Sequence, residues 1–314
     1  MKMSVLRTAG VSGLLAGATL LAVTFGANAA ELRLGTASQG GAFYPVGQAI
    51  STLVSRHAGN DITMVPIVTE GSVQNPRLLG IGEVDAGITN NNLAALANKN
   101  AGPYKGAGLD LRAIGSLHPS ILHMMVLADS DINSVADLKG KRIAVGPAGG
   151  GTIPFLNAIL ALEGLTIDDI TPSFVSYGDG FSQLSDGIVD ASFALSGYPA
   201  AAVMQAKASA KLRFINLSAE QLDTLKAATP AYDAFTVEPD VYDTDGEGSV
   251  VGVSNMLVVN ASMDEDTAYR IASAIYGHMD EFKEENALAR QIDPARSLRM
   301  SIPLHPGAER FFKE

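Results

Sequence analysis

Apolar positions in this chain fall into short runs that alternate with helical stripes. Residues 32–47 (LRLGTASQGGAFYPVG) set the pattern: an apolar strand, a turn with Gly40 and Gly41, then a helix with Pro45 in its first turn. Behind it Val46, Ala49, Ile50, Leu53 and Val54 recur at helical spacing, so that helix has one face to bury. A strand, glycine loop and helix in this order aim backbone N–H groups and the positive end of the helix dipole at one point. That point suits a carboxylate or a phosphate.

The chain continues in the same style. Ile62–Ile67 reads as a strand, Ser72 as the N-cap of a helix over 73–81, and 86–88 as a short strand that ends in the amide cluster Asn90, Asn91 and Asn92. Residues 111–116 and 121–127 read as two more strands. From Val135 the pattern restarts: a strand at 142–145, a glycine loop at 146–152 (GPAGGGT), and a helix at 153–163 with Pro154 in its first turn and Gly164 past its end. Each unit is followed by the same G-x-V-D-A entry into a strand. Asp85 stands 40 positions after Pro45, and Asp190 stands 36 after Pro154. Both aspartates read as structural, starting their strands through local hydrogen bonds.

Two such units predict two similar α/β lobes with mostly parallel strands. Ligands of open α/β sheets bind beyond the carboxyl ends of the strands, so facing lobes would enclose a cleft. Residues 249–260 (SVVGVSNMLVVN) return the chain to the first lobe, which makes two crossing strands and a hinge. Ser262 with Glu265 reads as a capping box for one long helix over 264–285.

Composition narrows the class. The chain has 314 residues, 47% hydrophobic, with no Cys. Lys2 and Arg7, the apolar run 8–26 and Ala27-Asn28-Ala29 read as a cleavable signal peptide, residues 1–29. A permanent membrane anchor fits less well, because the run is short and carries Gly10, Gly13 and Gly17. Cleavage takes the net charge from −11 to about −13, which argues against nucleic acid and anionic membranes as partners. Export without cysteine fits a Gram-negative periplasm.

The residues offer little for catalysis. The histidines His57, His118, His123, His278 and His305 show no metal-ligand spacing, and there is no G-x-S-x-G elbow and no P-loop ending. No cofactor and no metal is expected. The acidic loop 240–247 lacks the spacing of a calcium loop and reads as solvated. Arg77 reads as a surface or interlobe residue. Tyr44 and Tyr198, each beside a proline, read as walls of the cleft.

Four stretches resemble the TAXI family, the solute-binding subunits of tripartite ATP-independent periplasmic (TRAP) transporters: GTASQGGAFYPVG, EGSVQNPRLLGIGEVDAGI, SVADLKGKRIAVGPAGGGT and IPLHPGAERFFKE. The resemblance runs from Glu31 to Glu314. It implies an α/β type II periplasmic-binding-protein fold, with two α/β lobes joined by a two-strand hinge around a cleft. Lobe I would span 30–124 and 258–314, and lobe II 125–257. It implies a monomeric, non-enzymatic protein that captures a small organic anion, dicarboxylate or glutamate-like or 2-oxoglutarate-like, and delivers it to TRAP permease subunits. The pocket carried over by position comprises Ser38, Gly41, Phe43, Tyr44, Gly71, Ser72, Asn90, Asn91, Gly150, Gly151, Thr152, Ser196, Gly197 and Tyr198. Three places depart from the family pattern: Thr69-Glu70, the Asn90–Asn92 cluster, and Gly-Gly-Gly before Thr152. Glu70, if it faces the cleft, favours a ligand ammonium. An ABC-type anion-binding protein or a periplasmic ligand sensor of the same fold is the alternative reading.

Overall fold

Burial of both faces of one sheet decides the architecture. The computed structural model describes residues 30–314, and the expected signal peptide lies outside them. Ten strands form the sheet among the described residues: β1 (Ala30–Gly35), β2 (Ile62–Ile67), β3 (Ala86–Asn90), β4 (Leu111–Leu127), β5 (Arg142–Ala144), β6 (Thr171–Ser173), β7 (Ala191–Ser196), β8 (Leu212–Phe214), β9 (Tyr232–Val237) and β10 (Gly248–Asn260). The helices that cover it are α1 (Phe43–His57), α2 (Gln74–Gly80), α3 (Asn91–Asn98), α4 (Thr152–Leu162), α5 (Tyr177–Ser185), α6 (Ala201–Ala206), α7 (Ala219–Ala228), α8 (Pro239–Tyr242), α9 (Glu265–Tyr276), α10 (Met279–Glu285) and α11 (Pro306–Lys313).

The strand order is β2-β1-β3-β10-β4-β7-β5-β6, with β8 on β4 and β9 on β10. β1, β2 and β3 pair in parallel at one end, and β5, β6 and β7 do so at the other. Between them β4 and β10 run antiparallel through both halves. Side chains alternate along β10, so Leu257 and Val259 enter one core while Met256 and Val258 enter another. In the first lobe Leu257 packs with Val46, Ile50 and Leu53 of α1 and Ile271 and Ile275 of α9. In the second, one face holds Phe155, Ile159, Phe193 and Val251, and the other holds Phe181, Val203, Phe214 and Val250. Helices on both faces explain why the strands read as near-continuous apolar runs.

The expectation of mostly parallel strands fails, because β4 and β10 run against their neighbours: among the described residues four strand pairs are parallel and five antiparallel. Most of the expected elements stand, with four changes. Residues 111–127 form one strand, because Pro119 sits beside an irregularity in the pairing between Ser254 and Met256, where a missing N–H is tolerated. Ser72 does not cap α2, which begins at Gln74 and has Val73 at its N-cap with no side-chain bond. The helix expected over 264–285 breaks at Gly277 and His278 into α9 and α10. Its cap is Asp264, which accepts from the Thr267 N–H, while Ser262 bonds to the Asn260 side chain.

The repeated aspartates are structural, but their bonds are long-range. Asp85 accepts from the Arg33 backbone N–H at 2.8 Å and its Nε at 3.0 Å, and the same guanidinium reaches the Gly82 carbonyl. Asp190 accepts from the Arg142 N–H at 2.7 Å and from its guanidinium, which reaches the Gly187 carbonyl. The Arg142 guanidinium holds the Asp190 carboxyl below its usual range. One device thus ties two strands together in each lobe.

Two histidines on β4 are fully buried. His123 donates from Nδ1 to the Ala194 carbonyl, so its Nε2 accepts from the Tyr242 hydroxyl at 2.8 Å. Burial lowers both His118 and His123 from the ordinary value to about 4. Both are neutral in the native and unfolded chains above pH 6.5. Below it only the unfolded chain takes up protons, so each histidine removes about 1.4 kcal/mol of stability per pH unit until about pH 4. Urea unfolding at pH 7 and pH 5 will show this decline, with His118→Leu reducing it. A flat profile contradicts it.

Candidate functional site

The carboxyl ends of the parallel strands from both lobes converge. The β1–α1 loop, the turn after β2 and the end of β3 face the glycine loop after β5, the start of α5 and the end of β7. They surround a cavity of about 10 Å³ lined by Ala37, Gly41, Ala42, Phe43, Glu70, Gly71, Ser72, Gly151, Tyr177 and Leu195. That volume holds about one water, whereas small-molecule sites run to roughly 300–1,000 Å³. A wider groove of about 780 Å³ lies between α4 and α7, but no expected site residue lines it.

Five hydrogen bonds among the described residues hold the two sides of the cleft together. The Ala42 N–H donates to Ser196 Oγ at 3.0 Å, and the Ala202 N–H donates to the Gly40 carbonyl. The Val73 and Gln74 N–H groups both donate to the Gly149 carbonyl, at 3.0 and 3.1 Å. The opposite lobe therefore supplies the cap of α2 that the sequence assigns to Ser72. Gln291 donates through Nε2 to the Tyr198 carbonyl at 2.7 Å.

Local chemistry explains how the loops come so close. Gly71 has a φ of +110°, and a Cβ there would lie 3.3 Å from that of Ala37. Gly151 has an ordinary φ of −71°, yet a Cβ on it would lie 2.8 Å from Leu195 Cδ2 and 3.1 Å from Ser72 Oγ. α1 starts beside the cavity at Phe43, so the positive end of its dipole faces the space.

The structure brings together Gly41, Phe43, Gly71, Ser72 and Gly151 at the cavity, with Gly150 packed close to Gly71. Asn90 sits next to Gly151. Its Nδ2 donates to Asn255 Oδ1 at 2.7 Å, while its own Oδ1 has no hydrogen-bond partner among the described residues. A buried acceptor left so costs about 1–3 kcal/mol. Ser38 Oγ is likewise buried without a partner.

Other expected residues point elsewhere. The Thr152 hydroxyl is buried, bonded to the Tyr177 hydroxyl at 2.8 Å and the Leu195 N–H at 3.1 Å, and Gly151 is the cap of α4. Asn91 accepts from the Ser301 N–H through Oδ1. Tyr198 packs on Phe235, and Gly197 lies against His118, Ala42 and Leu288. Tyr44 is half-buried and lines no part of the cavity. Arg77 donates to the Pro103 carbonyl and lies over Tyr104. The wall tyrosine is Tyr177, whose hydroxyl burial raises above its usual range.

A family model described as the NMT1-like family matches residues 34–314. The chain belongs to the NMT1-like family. Two solved structures share its fold. One is a putative L-cystine ABC transporter from Listeria monocytogenes, at 15% identity and a TM-score of 0.53, covering 84% of this chain and 97% of that one. The other is a binding protein component of an ABC phosphonate transporter from Pseudomonas aeruginosa, at 11% identity and a TM-score of 0.50, covering 83% and 79%. This NMT1-like chain thus shares with both structures a mixed α/β fold with a central sheet covered by helices.

Sequence reasoning missed Tyr177, Leu195 and Asn255 in this NMT1-like site. Tyr177 follows Ser176, whose hydroxyl caps α5 by accepting from the Asp179 N–H. Ser176-Tyr177-Gly178 was a readable signal for a helix start beside a turn. Asn255 gave none, since it lies in an apolar run 165 positions from its partner Asn90.

Gly151 tests closure, because alanine suits its backbone and the added Cβ would meet Asn90 Oδ1 at 2.5 Å and Ser72 Oγ at 3.1 Å across the cleft, while the Leu195 side chain on its own side must turn aside. Gly151→Ala will hold the lobes apart and raise the radius of gyration in small-angle scattering, with the melting profile retained. An unchanged radius contradicts the closure geometry.

Proposed function

We propose that this NMT1-like chain is an exported periplasmic solute-binding protein that captures a small organic anion between its lobes. The candidate class is a dicarboxylate or an acid resembling glutamate or 2-oxoglutarate. The observation that most supports it is the meeting of two glycine loops, one from each lobe, around a cavity at the N-terminus of α1. Donors there can hold a carboxylate, with Ser72 Oγ and the first amides of α1 nearest. The lining offers amides, hydroxyls and one carboxylate, a set suited to binding.

The lobes would rotate about the strands they share. β10 changes partner from β9 to β3 between Val253 and Asn255, and β4 meets β7 from Ile121 onward. The hinge then lies at 117–120 and 254–255, a few residues before the limits expected at 124/125 and 257/258. Ser38, Asn90, Asn91, Gly150, Ser196 and Gly197 would frame the site as the lobes part, and Tyr44 and Tyr198 would flank its mouth.

The motifs that resemble TAXI proteins favour delivery to TRAP permease subunits. ABC delivery is the second reading, because both solved structures of like fold are described as parts of ABC transporters. A neighbouring gene for a large multi-span permease selects TRAP, and one for an ATPase selects ABC.

A thermal-shift screen of dicarboxylates and amino acids tests the ligand class on protein stripped of bound solute. A true ligand at 100 times its Kd adds about 2.7 kcal/mol and raises the melting temperature by several degrees. No shift with any of them defeats the acidic-ligand reading.

A further inference from the structure

We propose that the ligand of this cleft carries an ammonium group, read by the Asn90 side-chain oxygen and by Glu70. This rests on the reading of the cleft as a solute site. The orientation of Asn90 is fixed by a chain of hydrogen bonds that starts at a backbone carbonyl. The His118 carbonyl can only accept, so the Asn255 group 2.7 Å away is its Nδ2, which also donates to Ser120 Oγ at 2.8 Å. Asn255 therefore presents its oxygen to Asn90, and Asn90 answers with its Nδ2. The Asn90 oxygen is left facing the opposite lobe beside Gly151. It is fully buried and has no partner among the described residues.

Both amides are locked, because flipping either would set two donors or two acceptors against each other. Asn90 does not line the closed cavity; it offers an acceptor and no donor to the space that opens where Gly151 now covers its oxygen. A second observation points the same way. Among the side chains that line the cavity, the one that carries a charge is Glu70, and it is negative. The positive end of the α1 dipole lies across the space at Phe43. A zwitterion matches this field, with its carboxylate at α1 and its ammonium between Asn90 and Glu70. A deaminated acid leaves the Asn90 oxygen unpaired and faces Glu70 with no compensating charge. Asn255 is a positioning residue here, since it acts through Asn90.

Isothermal titration of the mature chain with matched ligands tests this: L-glutamate against 2-oxoglutarate and glutarate, L-aspartate against succinate, and L-alanine against propionate. The expected result is an amino member that binds at least about tenfold more tightly than its deaminated partner. Asn90→Leu and Asn255→Leu should each reduce that ratio below about threefold. Glu70→Gln, on an exposed turn, should lower it as well and serves where the asparagine variants do not fold. If deaminated members bind as tightly, the ammonium claim falls while the solute-binding reading stands. A ratio that survives Asn90→Leu and Glu70→Gln also overturns it. If no member of any pair binds, both claims fall.

Discussion

Two strands belong to both lobes, and the rest of the molecule depends on them. β4 and β10 pair with each other over Leu111–Ile121 and Gly252–Asn260; beyond that overlap β4 runs on beside β7 and β8, while β10 has β3 as its neighbour in one half and β9 in the other. The buried faces of four helix-covered cores are anchored on this pair. The change of partner also creates a problem, because polar backbone at the crossing must be satisfied inside the protein. Asn255 helps to solve it, bonding the His118 carbonyl and the Ser120 hydroxyl on β4 and Asn90 at the end of β3. The fold's weakest regularity and its candidate site therefore share residues.

Much of the fold could be read from residue pattern because each lobe repeats the same local device. The strand, glycine loop and helix at β1–α1 recur at β5–α4, and the aspartates of the two G-x-V-D-A entries hold matching arginines. Pattern failed where a long-range contact overrode local preference. Pro119 looks like a strand break, but an irregularity in its partner β10 absorbs it. Ser72 has the right chemistry for a cap, but the Gly149 carbonyl from the other lobe takes those amides.

The candidate site was legible in its backbone more than in its side chains. Glycines at 41, 71 and 151 mark places where two lobes approach closely, a demand visible in single residues. The tyrosines were assigned by proximity to proline, and neither Tyr44 nor Tyr198 lines the cavity. Tyr177 does, held by a bond to Thr152 that sequence cannot show. The polarity of Asn90 is set by three groups between 28 and 165 positions away, beyond the reach of any local motif.

The proposed solute-binding function requires the two halves to part, because a cavity of about 10 Å³ is too small for a dicarboxylate. The absence of cysteine from the sequence makes that motion directly measurable. Spin labels at Gln48→Cys on α1 and Asn157→Cys on α4, both exposed positions on opposite lobes, report their separation by pulsed electron resonance. The account predicts that the compound giving the largest thermal shift will move the distances to a shorter, narrower distribution. An identical distribution with and without a bound compound would contradict closure of the cleft around its ligand.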